Sequence, residues 1–264
     1  MWADYHNVVP GEPHRPIHVL FSEHGGGISK TTFAPPFRFP LSHSGRRHVV
    51  VRLTDIGLIN NCVNICTEFK NNFLFANGNK IVLNEACYGE IETLIFELKQ
   101  KLSAKGNLLS IQSDHLGYLT IYSTATLEIP ISDNKDGPIK DNLALKLGLP
   151  QDTNISYIGG YKCIKLTDTV TTVVAPDVWG SCAQLLVRCP LLANNAEMQQ
   201  TLAIVPAASF TTHQHIHVEN NGLAIPFNEI PELTCLELQF TNRYGEAVRF
   251  MSGVPYGTLQ LMSL

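Results

Sequence analysis

The sequence predicts an all-β protein: a single jelly-roll β-sandwich with a helical insertion and an extended N-terminal arm. Three observations carry that reading. Apolar and polar residues alternate with a period of two near the end of the chain, where Leu236, Leu238 and Phe240 share one face and Glu237 and Gln239 the other. β-branched runs recur between turn-forming residues until their count approaches the roughly eight strands of a jelly roll, and no strand-helix-strand alternation accompanies them. The first 48 residues hold six of the fifteen prolines and six of the ten histidines, a composition that blocks helix and interrupts sheet.

At 264 residues the chain exceeds the usual domain size, but sandwiches of about 200–250 residues are commonly one domain. The expected organisation is therefore an arm over residues 1–48 and one sandwich over 49–264. A hydrophobic share of 44% with only 16% charged residues lies away from disordered compositions and suits a surface covered by other copies. The net charge of -4 gives no electrostatic footprint for coating nucleic acid, so no direct nucleic-acid binding is expected. The opening residues lack a basic start and an apolar run, and no stretch approaches ~18 consecutive apolar residues, so neither a signal peptide nor a membrane span is expected. The cysteines at 62, 66, 87, 163, 182, 189 and 235 are odd in number and sit in apolar segments, which reads as buried free thiols.

Each element follows from local pattern. The arm contains Gly25-Gly26-Gly27 and Pro35-Pro36; it gains order only by lying across a neighbour, and its removal is expected to leave the sandwich folded. Strand character begins at Val49-Val50-Val51, and segments 72–75 and 80–83 around Asn77-Gly78 read as a hairpin. Ile91, Leu94, Ile95, Leu98 and Leu102 fall at helical spacing, predicting a helix near 90–104 stopped by Gly106. Glu90, Glu92 and Glu97 lie toward the start of that helix, where its dipole favours them. Segments 108–111 and 117–123 return to β character, and 139–147 before Gly148 predicts a second, short helix. Further strands are expected at 170–174, 183–187 and 201–205. The alternating strand through Phe240 meets the turn Asn242-Arg243-Tyr244-Gly245, after which Val248, Phe250, Leu259 and Leu261 continue the pattern.

Three stretches together resemble the minor capsid, or penton, proteins of Polinton (Maverick) elements, adintoviruses and virophages. Phe73-Leu74-Phe75, then Ile81-Val82-Leu83-Asn84-Glu85-Ala86-Cys87-Tyr88 and the 91–102 helix, is similar to that family's strand, short turn and helix. Leu143-Ala144-Leu145-Lys146-Leu147-Gly148-Leu149 is similar to its leucine-rich stop before glycine. Residues 170–190, followed by Phe240-Thr241-Asn242-Arg243-Tyr244-Gly245-Glu246-Ala247-Val248-Arg249-Phe250, are similar to its late strands and final hairpin. The chain departs from the family at Trp179-Gly180, where a tyrosine-rich run before valine-glycine is usual, and at Cys87-Tyr88, where glycine usually precedes tyrosine. The resemblance implies a non-enzymatic jelly-roll protomer of the virion. Such a protomer forms homopentamers at fivefold vertices beside a double jelly-roll major capsid protein.

The sharpest chemical feature is Thr212-His213-Gln214-His215-Ile216-His217-Val218-Glu219. On one continuous strand His213, His215, His217 and Glu219 would project to one face, the donor set of a zinc, iron or manganese site such as a cupin holds. The plainer reading is an exposed or interface strand, because adjacent same-face residues sit ~6.5–7 Å apart and three in a row strain a single metal. A pH-sensitive contact lies between the two readings. No cofactor is expected. A cupin-like metalloprotein and a lectin-like attachment module remain as alternatives of different class. Cys62-Val63-Asn64-Ile65-Cys66 has one residue too many for a redox pair and no second pair to complete a zinc ribbon. His24-Gly25-Gly26-Gly27-Ile28-Ser29-Lys30-Thr31 lacks the glycine spacing of a phosphate loop, and no Gly-x-Ser-x-Gly elbow occurs.

Overall fold

A computed structural model describes residues 17–20, 28–38, 48–151, 154–167, 169–189, 200–219, 225–228 and 232–263. The chain is all-β and divides into two compact units, Met1–Asn61 with Gln184–Leu264, and Cys62–Ala183. Strands β1 (Ile17–Leu20), β2 (Ile28–Arg38) and β3 (His48–Ile59) belong to the first unit. The second holds β4 (Phe73–Ala76), β5 (Asn79–Val82), helix α1 (Ile91–Ser103), β6 (Leu109–Ser113), β7 (Leu119–Ser123), β8 (Leu127–Asp133) and β9 (Gly137–Pro138). It continues through helix α2 (Leu143–Lys146), β10 (Ile155–Ile158), β11 (Tyr161–Leu166) and β12 (Val170–Thr171). The chain then returns to the first unit with β13 (Leu185–Cys189), β14 (Gln200–Val205), β15 (His215–Glu219), β16 (Ile225–Asn228), β17 (Glu232–Thr241) and β18 (Tyr256–Ser263).

In the first unit one sheet runs β1-β18-β3-β15, with β16 also on β3, and the other runs β14-β13-β17-β2. All of these pairs are antiparallel. β15 and β16 pair successive stretches of β3, His215 with Ile59 through Asn228 with His48, and so act as one interrupted strand. Counted that way the described residues of the unit form eight strands. In chain order the sheets are first-eighth-third-sixth and second-seventh-fourth-fifth, the double Greek key of a jelly roll. Inward residues alternate as the sequence pattern requires: Leu236, Leu238 and Phe240 on β17 are buried while Glu237 and Gln239 are partly exposed.

Two expectations change here. Residues 17–20 and 28–38, read from the sequence as arm, are β1 and β2, the first two strands of the sandwich. The prolines do not prevent this, because β2 lies at a sheet edge and its pairing with β17 is interrupted between Leu233 and Cys235, opposite residues 33–36 that include Pro35-Pro36. The rest of the arm, with its glycine run, lies outside the described residues. The domain boundary also moves. Residues 62–183, whose strands and helix the sequence reading counted toward one sandwich, form a separate unit inserted between its third and fourth strands.

The inserted unit has a sheet ordered β10-β11-β8-β4-β5, with β9 on β8, and a smaller sheet ordered β12-β7-β6. The β4-β5 hairpin turns on Asn77 (φ 49°) and Gly78 (φ 81°), the two positive φ values that a type I′ turn demands. Helix α1 buries Leu94, Leu98 and Leu102, three of the five residues predicted for its face. It stops as predicted at Gly106 (φ 75°), and the Asn107 N–H caps the Leu102 carbonyl at 3.1 Å. Leu98 and Leu102 meet Leu74, Leu127, Ile129, Leu143, Leu147 and Leu166 around a void of only about 10 Å³. The short helix α2 is started by Asn142, whose side chain accepts the Leu145 N–H at 2.9 Å.

Three smaller differences have local causes. Of the strand expected at 170–174 only Val170–Thr171 pairs, because the Val173 N–H turns to the Gly148 carbonyl at 3.1 Å. Residue 183 ends a single 3-10 turn, so β13 starts at Leu185. After the Asn242–Gly245 turn Val248 and Phe250 join no strand, although the Phe250 ring packs edge-on against Phe240 at 5.3 Å.

Candidate functional site

The histidine segment lies in the sandwich unit. Asn60, just past β3, shapes it: its side-chain amide donates to the Ala207 and Phe210 carbonyls at 3.0 Å and to the Thr211 carbonyl at 3.2 Å, and its own carbonyl accepts the His213 N–H at 2.8 Å. This curls the chain so that His213 takes a left-handed conformation (φ 62°) in a turn, and the strand begins at His215. The row of three histidines expected on one strand is therefore reduced to two. His215, His217 and Glu219 remain exposed on one face of β15, with Ile216 buried on the other. Among the described residues no three His, Cys, Asp or Glu side chains come together as a metal site.

The partners of that face come from β3 and β18. His217 lies opposite Gly57, and Gly57 opposite Tyr256; Glu219 lies opposite Asp55, and Asp55 opposite Thr258. The Tyr256 ring crosses Gly57 and stacks on the His215 imidazole, with ring centres 6.1 Å apart and planes at 29°. Gly57 makes this possible, since a Cβ there would meet the tyrosine Cζ at 2.1 Å. The face thus carries an aromatic group, two imidazoles and a facing pair of carboxylates.

The inserted unit contains a buried polar cluster. Lys146 and Asp141 are 0% and 3% exposed and pair at 3.0 Å. The ammonium also donates to the Val178 carbonyl at 3.0 Å and the Trp179 carbonyl at 3.4 Å. Asp141 accepts the Ser181 hydroxyl at 2.8 Å and the Ser181 N–H at 3.1 Å. Each charge is thereby met on several sides, which offsets much of its desolvation. Gly180 (φ 52°) permits the approach, because a Cβ there would meet Asp141 Oδ1 at 2.2 Å. Asn64 and Asn71 extend the cluster. Asn71 donates to the Asp141 carbonyl at 3.0 Å, and Asn64 donates to the Tyr88 carbonyl at 2.8 Å and the Val178 carbonyl at 3.0 Å. Ser181 is fully buried with its proton committed to a carboxylate, so the group fastens loops and presents no nucleophile.

Sequence reasoning did not single out this cluster. Its signals were a lysine inside the apolar run 143–149 and the Trp179-Gly180 pair, both noted only as features of a resemblance.

A cleft of about 400 Å³ lies between the β4-β5 hairpin and the loop after α1, lined by Asn77, Asn79, Lys80, Lys105, Asn107, Ala76 and Ile81. The Asn77 side-chain oxygen is fixed by the Thr126 N–H at 3.0 Å. Its amide reaches Asn107 Oδ1, that of Asn79 the Asn77 carbonyl, and that of Asn107 the Lys105 carbonyl, all at 3.4 Å, the weak end of hydrogen bonding. None of the described residues that line the walls is a carboxylate.

No protein-family model matches the chain, and no curated protein matches it. The crystal structure of the mavirus penton protein aligns over 96% of this chain and 100% of its own, with a TM-score of 0.43 and 8% identity. A likeness that distant assigns neither a family nor a function.

Proposed function

We propose that the chain is a non-enzymatic capsid protein of the penton, or minor, type, related to those of Polinton elements, adintoviruses and virophages. It forms homopentameric vertex capsomers of an icosahedral particle and contacts a double jelly-roll major capsid protein. The observation that carries this reading is the eight-strand order of the sandwich unit, the fold that the sequence resemblance implies. Exposed apolar side chains on the inserted unit support it: Phe96, Leu108, Leu116 and Tyr157 are 61–72% exposed, as interface residues are in an isolated protomer. Two different surfaces used in turn around a fivefold axis close a ring without a self-complementary patch. The test is the mass of the purified protein by light scattering. A discrete pentamer supports the reading, and a monomer at every concentration overturns it.

The Asn- and Lys-lined cleft favours a second reading, the lectin-like module. Amide donors suit sugar hydroxyls and the Lys105 ammonium suits a carboxylate or sulfate, whereas that of Lys80 sits over the Phe73 ring at 4.0 Å, so the class is an acidic saccharide. Binding of a sulfated or sialylated oligosaccharide that weakens at least tenfold in Lys105→Ala supports it. Equal binding of the neutral parent sugar removes it.

A further inference from the structure

The buried cluster of the inserted unit converges on the peptide bond between Gly180 and Ser181. Asp141 holds both polar groups of Ser181: its Oδ2 accepts the hydroxyl at 2.8 Å, and its Oδ1 accepts the N–H at 3.1 Å. A single carboxylate thus spans a hydroxyl and the nitrogen of the peptide bond beside it. On the other side of that bond Gly180 leaves the approach open. A Cβ there would stand 2.2 Å from Asp141 Oδ1 and 2.8 Å from the Lys146 ammonium, so a negative and a positive group both border the bond. Ser181 is 0% exposed and closed to any outside substrate. The Gly180 carbonyl, bonded to its own nitrogen, is within reach of its hydroxyl through a five-membered ring.

We propose that the Gly180–Ser181 bond is a self-cleavage site, with Ser181 as nucleophile and Asp141 as the group that moves the proton. Ser181 Oγ attacks the Gly180 carbonyl carbon while Asp141 takes the hydroxyl proton. The C–N bond then breaks, and the Asp141 carboxyl passes that proton to the Ser181 nitrogen. The product is an ester between the Gly180 carboxyl and the Ser181 oxygen, with a free amine on Ser181. Water, the co-reactant, splits the ester into a Gly180 carboxylate and a restored Ser181 hydroxyl. The Lys146 ammonium beside Gly180 favours the oxyanion that forms at its carbonyl. Entry of water to a buried ester limits the second step.

The cut falls where the inserted unit ends, since Ala183 is its last residue. Afterwards the backbone joins the two units only between Asn61 and Cys62, and a new amino terminus stands ahead of β13. The step is a single turnover within one chain. It rests on this cluster and is independent of the capsid reading.

The test keeps the purified full chain in neutral buffer at body temperature for several days, with and without hydroxylamine, and reads intact masses. The expected products are residues 1–180 and 181–264, together one water heavier than the chain. Hydroxylamine should speed the break and leave a hydroxamate on Gly180, which marks the ester. Cleavage by the same reagent after Asn77 or Asn221, each followed by glycine, gives different masses. Ser181→Ala should slow the break about 100-fold or more, and Ser181→Cys, which keeps a nucleophile, should restore it. The hydroxylamine experiment on the wild-type chain needs no variant to fold. No break at Gly180–Ser181 in that chain with hydroxylamine present, or a break of equal rate in Ser181→Ala, overturns the proposal.

Discussion

The two units are stabilised by different kinds of contact. In the sandwich, most sheet partners are far apart in sequence: β1 pairs with β18, Ile17 opposite Leu259, and β2 pairs with β17. In the inserted unit most partners are neighbours, as in β4-β5, β6-β7 and β10-β11. Their interiors differ as well. The inserted unit buries an ion pair with its own hydrogen-bond shell, whereas the sandwich interior is chiefly aliphatic and aromatic, with Asn60 and Asn61 buried just past β3. One region thus depends on having all its strands, and the other on a few residues whose loss leaves charge unmatched.

The largest expected effect tests the first half of that contrast. Deleting residues 1–38 removes one strand from each sheet of the sandwich, so its cooperative unfolding transition should vanish while the inserted unit keeps its amide protection. Hydrogen exchange by mass spectrometry reads both at once, and a folded sandwich in the truncated chain would falsify the assignment of β1 and β2.

Next is Lys146→Ala, which leaves Asp141 buried without its cation. The expected cost is about 3–5 kcal/mol, confined to the inserted unit and measured by urea denaturation. Lys146→Met with Asp141→Leu should regain much of it, since neither charge then remains. Equal losses in the single and double variants would show that the loss is one of shape and not of charge.

A smaller loss, about 1–2 kcal/mol, is expected in the sandwich from Gly57→Ala, which forces the Tyr256 ring off β3. Adding Tyr256→Ala should make the alanine at 57 nearly neutral, a coupling that a double-mutant cycle measures.

The smallest effect belongs to the surface clamp of the inserted unit, where Lys70 pairs with Asp133 at 2.8 Å and also with Asp136. The Lys70 ammonium holds the Asp133 carboxyl below its usual range, and the two carboxylates raise Lys70. Since the Asp133 value is depressed on folding, its contribution is present above about pH 4 and is lost as pH falls through the lowered value. Since the Lys70 value is raised, its contribution is present below about pH 10.5 and is lost as pH climbs through the raised value. The difference in Tm between wild type and Lys70→Met should therefore be small, flat through neutral pH, and gone in acid. A difference that grows in acid would reverse the assignment.

Local signals were legible wherever chemistry acts over a few residues. Asn77-Gly78, the leucines of α1, Gly106 and the alternation on β17 all read through because each depends on its nearest neighbours along the chain. What was not legible depends on distant partners. The prolines at 35 and 36 argue against a strand until β17 is known to leave a gap opposite them. His213 continues the spacing of His215 and His217, and only the Asn60 carbonyl, some 150 residues earlier, takes it out of the strand. Lys146 reads as an outlier in an apolar run until Asp141 and the 178–179 carbonyls surround it. The jelly-roll class was visible from strand count and pattern, but the division into two units was not, because strands of either unit look alike one at a time.

The pairing of β1 with β18 also sets a timetable. A sandwich whose first strand needs its last cannot close until β18 has been made, and such long-range contacts make for slow folding. The inserted unit has no such dependence. Its strands and helix lie between Cys62 and Ala183, so it has its full complement of partners while residues 184–264 are still being made. The ribosome then delivers a folded inserted unit on an unfinished sandwich, whose exposed strands β1–β3 must wait without pairing to another chain.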